Sequence, residues 1–407
     1  MCAERRGYGA IREDGQSEQR PSGFCGDKNQ LFRILLIIAI GLAFCAVVLY
    51  VVLTSTSHEE EKLTNLTAAA QRDLVKLANA INLMQTTWKA EPAGLDQLFI
   101  NPIYEGRTGD ELIDHLLSVF DDFPEGDSQF AKVDIPAHYD SSLDHPQCFH
   151  TIRRVVDQGR CQACWAQAAV AVFADRYCIL SNVSMTFSSV DIMSCCNVNC
   201  GGGCAAGGYA PAAFNFWFTE GVVTGCNEYG CREGCKPYPI AQCNTPRQME
   251  TLPRCYEPDG GKVTPVCEWK CQPDYPVTYE EDKYYGEKWY RIHRSEKAIQ
   301  KEIMLHGPVE ATFRMLTDFP LYRSGVYKPT AGDDAGLHSV KVHGWGETDD
   351  GVKYWLIINS YGTVWGDHGI GKFIRGNDTN HFEGYMVGGI PRIRPAKLTH
   401  QTAGPSV

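Results

Sequence analysis

The sequence predicts an α+β protein made of an apolar membrane-spanning helix, a helical leader and a disulfide-rich domain that ends in strands. Three patterns indicate this: an uncharged run over residues 34–53, apolar residues at helical spacing after it, and alternating or continuous apolar runs near the C-terminus. The 407 residues are 43% hydrophobic, which suffices for a sizeable core. A net charge of −11 without a basic stripe argues against a nucleic-acid partner.

The apolar run over residues 34–53 is the first element, and its twenty residues can cross a bilayer as a helix. A cleaved signal peptide is the alternative, but its charged leader is rarely as long as residues 1–33. Six Lys and Arg precede the run, whereas residues 54–73 hold only two, beside three Glu. The positive-inside rule therefore predicts a single-pass type II protein, with residues 1–33 in the cytosol and the remainder in a lumen or outside the cell.

Glycosylation sequons and cysteines agree with this topology. Sequons begin at Asn65, Asn182 and Asn377, all beyond the apolar run. Fifteen of the eighteen cysteines also lie beyond it, which indicates an oxidising compartment. An odd number leaves one thiol free if fourteen pair, and we expect that thiol to be Cys164. The tail segment 8–11 is similar to a tyrosine-based sorting signal, so an endosome, lysosome or vacuole is expected, with the cell surface or secretion as alternatives.

The segment 54–132 is predicted to be a linker followed by a helical leader. Its apolar residues recur at helical spacing at Leu74, Leu77, Ile81 and Met84. A second helix is expected over residues 108–120, where a capping box precedes an apolar face.

The domain boundary is placed near Lys132, because the cysteine content changes there. No cysteine occurs between Cys45 and Cys148, whereas fourteen fall between Cys148 and Cys267. Residues 133–392 are therefore taken as the folded domain, and residues 393–407 as a C-terminal tail.

Within the domain, an apolar helical stripe over residues 165–177 begins directly after Cys164. Residues 195–271 are rich in Gly, Pro and Cys, and are predicted to be loops held by disulfides. Strands are expected at residues 339–342, which alternate, and at residues 354–358, which form a buried run.

Four residues have the chemistry of a thiol hydrolase. Cys164 is the candidate nucleophile, at a helix N-terminus that favours a thiolate. His338 and Asn359 flank the two predicted strands, as a base and the group that orients it. Gln158 and the backbone N–H of Cys164 can donate to the oxyanion of a tetrahedral intermediate.

Other interpretations of the cysteines are weaker. Residues 161–164 form a Cys-x-x-Cys sequence, but no thioredoxin-like βαβ pattern surrounds them. Residues 162–164 match the start of the caspase signature, but the residues that follow them do not match the rest of it. The cysteines of residues 195–204 could suggest zinc, yet disulfides are favoured in an oxidising lumen. No metal or cofactor is therefore predicted.

These motifs resemble those of the papain-like cysteine proteases, and among them the cathepsin B group. The resemblance covers about residues 68–392. The segments that carry it are Asp134–Asp140, Gln158–Trp165, Asp175–Ile179, Tyr209–Trp217, Gly307–Glu310, Ser324–Tyr327, His343–Gly346 and Trp365–Asp367.

The resemblance implies a papain-like fold of two lobes, one mainly helical and one a small β-barrel, with a cleft for protein or peptide substrates. It assigns to the four catalytic candidates the roles already given. It also implies substrate contacts from the backbone of Gly207 and Gly208, from Tyr385 at the base of the S2 pocket, and from Trp365.

The resemblance further implies a disulfide pattern and an inhibitory prosegment. Residues 68–132, which include Thr86–Ala90, are expected to occupy the cleft until they are cut off near Lys132. The implied disulfides are Cys148 with Cys178, Cys161 with Cys204, Cys195 with Cys267, Cys196 with Cys200, Cys235 with Cys271, Cys243 with Cys255 and, as an additional bridge, Cys226 with Cys231.

The chain departs from the family pattern around the site, at Gln162, Ala163, Gln167, Leu337 and Tyr361. Tyr361 replaces a Trp that shields the His–Asn hydrogen bond, so a wetter bond is expected. The loop 243–255 corresponds to a loop of the cathepsin B group whose His residues grip the C-terminal carboxylate of a substrate, but here it contains no His. The resemblance therefore implies endopeptidase rather than dipeptidyl carboxypeptidase action.

The sequence thus predicts a membrane-anchored zymogen of a cathepsin B-like cysteine endopeptidase. The departures leave a second hypothesis open, a weak or inactive pseudoprotease that acts as a binding module.

Overall fold

The computed structural model describes residues 74–85, 87–91, 125–196, 200–241 and 263–394. All of them belong to one of two compact units, Thr67–Val407, and the other unit is Met1–Leu66. The predicted span 34–53 and the predicted helix 108–120 lie outside the described residues. Within the described ranges, no helix is both long and apolar enough to cross a membrane.

Four of the nine α-helices in the described residues have ten or more residues, and the other five are short. In chain order they are α1 (residues 74–84), α2 (Ser141–Asp144), α3 (Phe149–Ile152), α4 (Cys164–Ser181), α5 (Ser189–Cys195), α6 (Gly203–Ala206), α7 (Ala210–Thr219), α8 (Tyr279–Asp282) and α9 (Glu296–His306).

Helix α4 is the longest of these and confirms the prediction of a helix that begins at the nucleophile candidate. Its residues are mostly Ala and other apolar types, and it is buried on nearly all sides. It ends where Asn182 adopts a left-handed conformation with φ 58°, as helices commonly do at their C-termini.

The strands are mostly antiparallel partners in one sheet. In chain order they are β1 (Trp88–Ala90), β2 (Tyr139–Asp140), β3 (Gly201–Gly202), β4 (Gly207–Gly208), β5 (Gly286–Arg291), β6 (Val309–Leu316), β7 (Tyr322–Gly325), β8 (Asp334–Glu347), β9 (Lys353–Ile358), β10 (Ile370–Ile374) and β11 (Met386–Pro391).

The main sheet has the order β10-β9-β8-β6-β11-β5, with β2 paired to β8. Its two end strands, β10 and β5, are not paired with each other in the described part of the chain, so the predicted small barrel is an open seven-stranded sheet there. Strands β1 and β7 form a separate two-stranded sheet, and so do β3 and β4.

Two hydrophobic cores correspond to the two predicted lobes. Trp165, Phe173 and Trp217 belong to the core around α4, where the rings of Phe173 and Trp217 stack at 4.1 Å. Phe313 and Trp355 belong to the core of the sheet. The structure therefore confirms a mixed helical and sheet fold.

Two ion pairs link α4 to the sheet lobe. Arg176 contacts Glu302 at 2.9 Å, and Asp175 contacts Lys341 at 2.7 Å. The first pair is fully buried, and Arg176 also donates to backbone carbonyl groups of Pro308, Gly307 and Gly389. Buried charges of this kind are stable only when their donors and acceptors are paired.

The leader packs against the sheet lobe. The helix predicted from Leu74, Leu77, Ile81 and Met84 is confirmed over residues 74–84. Leu74 and Ile81 are buried in the core of the sheet lobe, whereas Met84 is 59% exposed. Strand β1 pairs with β7, and the Trp88 indole N–H donates to the Lys328 carbonyl at 3.0 Å. The described part of the leader, residues 74–85 and 87–91, thus packs into the core and the edge of the sheet lobe.

Candidate active site

Cys164 is the first residue of α4, and its side chain is buried with 8% exposure. The residue before it, Ala163, offers no capping side chain, so the first backbone N–H groups of the helix remain available. This end of the helix carries the positive pole of the macrodipole, which favours a thiolate or an oxyanion. Cys164 is also the free cysteine of the described residues.

His338 and Asn359 meet through a short hydrogen bond. His338 lies in β8 opposite Phe313 of β6, and Asn359 directly follows β9. The distance from His338 Nε2 to Asn359 Oδ1 is 2.8 Å. The backbone N–H of Ser360 also donates to Asn359 Oδ1 at 2.8 Å, which fixes the amide oxygen toward the ring.

The expectation that this bond is wet is wrong. His338 and Asn359 are only 2% and 1% exposed. The Tyr361 ring covers the His338 ring at 4.8 Å between centroids, and Phe319 lies 5.5 Å away on another side. A tyrosine ring therefore excludes water here as a larger ring would.

Gln158 is held by hydrogen bonds at both ends of its amide. Its Nε2 donates to the Cys161 carbonyl at 2.9 Å, and its Oε1 accepts from the Ser360 hydroxyl at 2.5 Å. The Tyr238 hydroxyl donates to the Gln158 carbonyl at 2.8 Å. The amide nitrogen keeps a second N–H, which is the one an oxyanion could use.

The burial of the site favours uncharged groups. Burial raises the pKa of the Cys164 thiol to about 11, and the nearby Glu310 carboxyl adds to the shift. Burial lowers the pKa of His338 to about 4, although its bond to Asn359 opposes the shift. At neutral pH the thiol and the imidazole are therefore both uncharged.

Gly207 and Gly208 form β4, next to the start of the helix that carries Cys164, the candidate nucleophile. A Cβ atom on Gly208 would lie 2.2 Å from the Cys200 carbonyl oxygen and 2.5 Å from the Trp165 ring. Only glycine fits there, because the backbone approaches the residue after Cys164 so closely. The structure thus brings this predicted substrate-binding segment to the site.

Tyr385 and Trp365 are both buried. Tyr385 has no exposed surface and belongs to the helical-lobe core together with Leu337. Trp365 lies in the sheet-lobe core, where its indole N–H donates to the Phe319 carbonyl at 3.0 Å. Trp365 therefore supports Phe319, which contacts His338, and has no open face of its own.

Six disulfides lie within the described residues, and each joins two cysteines that the resemblance pairs. The pair Cys161 and Cys204 lies closest in sequence to the nucleophile. Cys243 and Cys255 lie outside the described residues. The six disulfides join Cys148 to Cys178, Cys161 to Cys204, Cys195 to Cys267, Cys196 to Cys200, Cys226 to Cys231 and Cys235 to Cys271.

Sequence reasoning missed three neighbours of the site. Tyr238 and Ser360 hold Gln158 across 80 and 202 residues of sequence, respectively. Glu310 is fully buried in β6, and burial raises its pKa well above the usual range, while Ser339 opposes the shift. Its signal in the sequence is a carboxyl among apolar residues, at the end of the segment Gly307–Glu310 that carries the family resemblance.

The remaining predicted features have mixed placements. The predicted glycosylation sites Asn182 and Asn377 are exposed, and Asn65 lies outside the described residues.

Gln167, one of the departures from the family pattern, is 1% exposed, beside Tyr238, in the helix behind Cys164. No group of three or more His, Cys, Asp or Glu in the described ranges could hold a metal ion.

Comparison with known proteins identifies the relatives of this chain. The family model described as "Papain family cysteine protease" matches residues 135–389. "Cathepsin B-like cysteine proteinase 6" of Caenorhabditis elegans is 38% identical over 329 residues, which are 80% of this chain and 85% of that protein. "Cathepsin B-like cysteine proteinase 4" of the same organism is 41% identical over 262 residues, covering 64% and 76%. The structure "proCathepsin B S9 from Trypanosoma congolense" superimposes with a TM-score of 0.60 at 28% identity, covering 78% of this chain and 98% of that chain.

Proposed function

The chain belongs to the papain family of cysteine proteases, and on this premise we propose that Cys164, His338, Asn359 and Gln158 are its catalytic residues. The relatives named above are cathepsin B-like proteinases, and a proenzyme shares the fold. The observation that carries the proposal is the 2.8 Å bond between His338 Nε2 and Asn359 Oδ1. It engages Nε2 and leaves Nδ1, the other ring nitrogen, as the one that can take the thiol proton.

The reaction follows from this arrangement. The thiol proton of Cys164 passes to Nδ1 of His338, and the thiolate attacks the scissile carbonyl carbon. The second N–H of the Gln158 amide and the backbone N–H of Cys164 stabilise the oxyanion. The imidazolium then gives its proton to the leaving amine, and water hydrolyses the thioester with His338 as base.

A covalent probe tests this site. A peptidyl epoxide should label the processed protein on Cys164, and Cys164→Ala should abolish the labelling. Exposed His150 provides a matched control, because His150→Ala should leave the labelling unchanged while His338→Ala should nearly remove it. Labelling that survives in Cys164→Ala would contradict the assignment.

The leader acts in this proposal as the inhibitory prosegment. Its strand β1 is paired to β7, and Trp88 packs against Tyr327 at 5.1 Å between ring centroids. Release requires cleavage near Lys132 and loss of this packing. Acidic incubation of the full chain, with and without added protease, should yield a fragment that begins near residue 133. An intact chain under both conditions would count against the proposal.

Substrate choice is proposed from two features. The loop 243–255 contains no His that could bind a substrate C-terminus, so endopeptidase action is expected. Buried Tyr385 favours apolar or aromatic P2 side chains over Arg. A peptide amide and its free acid should be cleaved at equal rates, and a P2 scan that ranks Arg first would overturn the second point.

Membrane anchoring through residues 34–53 is the remaining part of the proposal. It is supported by the excess of Lys and Arg before this run over those after it, and by the exposure of the glycosylation sites Asn182 and Asn377. Deletion of residues 1–53 behind a cleavable signal peptide should move the protein from the carbonate-resistant membrane fraction to the medium. A glycosidase should reduce the mass of both forms, which places the domain in the lumen.

A second candidate function is that of a pseudoprotease that binds peptides. The observation that favours it is the contact of Tyr361, rather than Cys164, with His338 Nδ1. The probe experiment separates the two functions. A processed protein that binds peptides but never labels on Cys164 would favour the pseudoprotease.

A further inference from the structure

Tyr361 places a hydroxyl group at the nitrogen of His338 that faces away from Asn359. The hydroxyl oxygen is 3.4 Å from His338 Nδ1 and 3.5 Å from the Sδ atom of Met315. The two rings are 4.8 Å apart between centroids and tilted by 34°. A phenol hydroxyl can donate one hydrogen bond and can also accept, so it can bond to His338 Nδ1 and to Met315 Sδ at the same time.

The contacts of Asn359 decide where the ring carries its hydrogen. Its Oδ1 accepts from the Ser360 N–H and lies 2.8 Å from His338 Nε2. An oxygen can only accept, so Nε2 carries the hydrogen. Nδ1 is therefore a bare lone pair in the neutral ring and an N–H donor in the imidazolium. Nδ1 is also the atom that must take the thiol proton.

We propose that Tyr361 is a positioning residue that follows the protonation state of His338. With a neutral ring, its hydroxyl donates to Nδ1. When Nδ1 takes the proton, the hydroxyl hydrogen turns to Met315 Sδ and the phenol oxygen accepts from Nδ1–H. The S–H bond of Cys164 breaks and the N–H bond forms, while the O–H bond of Tyr361 only rotates. This inference rests on the proposed role of His338 as the base.

The two arrangements are not equally strong. A hydrogen bond from an imidazolium is charge-assisted, and such bonds are roughly twice as strong as neutral ones. Tyr361 should therefore favour the protonated ring over the neutral one. The phenol itself stays neutral, because burial and the proximity of Cys164 raise its pKa well above the usual range.

The titratable groups around this contact come from several elements. Cys164 lies at the start of α4, Glu310 lies in β6, and Asp157 bridges to the backbone of Tyr361. Glu310 and Asp157 are present in every variant compared below. Cys164 is removed by using Cys164→Ala as the background of every variant.

The test is a titration of His338 by NMR in full-length Cys164→Ala protein in detergent micelles, with labelled histidine. The His338 signal is assigned by its loss in His338→Gln. Tyr361→Phe should lower the His338 pKa by about half a unit, which is a roughly threefold lower proton affinity. Met315→Leu should lower it less, because the hydroxyl then has no acceptor to turn to. Tyr290→Phe, which removes a buried hydroxyl bonded to Glu302, should not change it.

An unchanged or raised pKa in Tyr361→Phe would overturn the inference. If that variant does not fold, Met315→Leu decides by the same measurement. The measurement needs no peptidase activity, so failure of this inference can be told apart from failure of the proposed function. Failure of the proposed function would instead appear as an absence of probe labelling on Cys164 in the processed wild-type protein.

Discussion

The two halves of the site are held in different ways. His338 and Asn359 belong to the sheet lobe, where paired strands and the bonds of Asn359 Oδ1 fix the ring. Cys164 begins a helix that has no capping side chain, and the disulfide between Cys161 and Cys204 anchors the chain just before it.

This difference separates orientation from ionisation. The orientation of His338, the proposed base, is already fixed in this structure, because Asn359 and Tyr361 contact its two ring nitrogens. The two groups are not ionised, however, because burial favours the neutral forms of Cys164 and His338. Activation of this enzyme should therefore change the solvation of the site more than its geometry.

Removal of the base should give the largest effect. His338→Ala should lower kcat/KM for a peptide by about 10⁴-fold, because a positioned base contributes up to this factor. The Cys164 half should remain folded, since α4 and its disulfides do not depend on the ring. Steady-state rates and circular dichroism of the processed enzyme measure this. A loss below tenfold, with His150→Ala as control, would contradict the role of the base.

The ion pairs that hold the halves together should have the next largest effect. Glu302→Gln should lower the free energy of unfolding by about 3 kcal/mol, because Arg176 is left buried without its counter-ion. Burial opposes ionisation of Glu302, but Arg176 outweighs it and lowers the pKa from 4.5 to about 2. The ionised Glu302 therefore contributes fully to the free energy of unfolding above pH 4.5, and this contribution is lost only as the pH falls toward 2. Urea titrations at about pH 7 and about pH 5 should give the same loss.

Asp175 should behave in the opposite way. Burial raises its pKa from 3.8 to about 6, although Lys341 opposes the shift. The folded state then binds a proton more tightly than the unfolded chain, so stability is gained at low pH and lost as the pH rises through 6. The cost of Asp175→Asn should be about 1 kcal/mol larger at about pH 5 than at about pH 7. An equal cost at both values would show that Asp175 is ionised throughout.

Local sequence patterns predicted the parts of the site that depend on local structure. The apolar run after Cys164 indicated a helix, and Asn359 follows a continuous apolar run that is indeed the strand β9. The family's cysteine pattern gave the six observed disulfides, and parity alone already required a free thiol.

Contacts between distant segments could not be predicted in this way. Ser360 and Tyr238 reach Gln158 from other parts of the chain, and no spacing indicates it. The dry environment of Asn359 was missed for the same reason, because Tyr361 and Phe319 cover His338 together. Met84 continued the helical spacing of α1 but lies beyond the surface that the sheet lobe covers.

The oxyanion donor should respond more weakly. Ser360→Ala removes the 2.5 Å bond to Gln158 Oε1, and a buried hydrogen bond contributes about 1 kcal/mol. Since the oxyanion forms only in the transition state, kcat should fall about fivefold while KM changes little. Ser194→Ala is the control, because this buried hydroxyl makes no hydrogen bond to a described residue. A change in KM alone would assign Ser360 to substrate binding instead.

The smallest effect is expected from the charge of Glu310 on the thiol of Cys164. The Glu310 carboxyl raises the thiol pKa by its charge, which exists only above its own raised pKa. Glu310→Gln removes that charge, so the thiol pKa should fall by roughly half a unit, and alkylation of Cys164 by iodoacetamide should shift to lower pH. Well below the pKa of Glu310, both proteins should react alike. Exposed Glu220→Gln should leave the profile unchanged. A shift to higher pH would mean that Glu310 acts on Cys164 through a hydrogen-bonded network rather than through its charge.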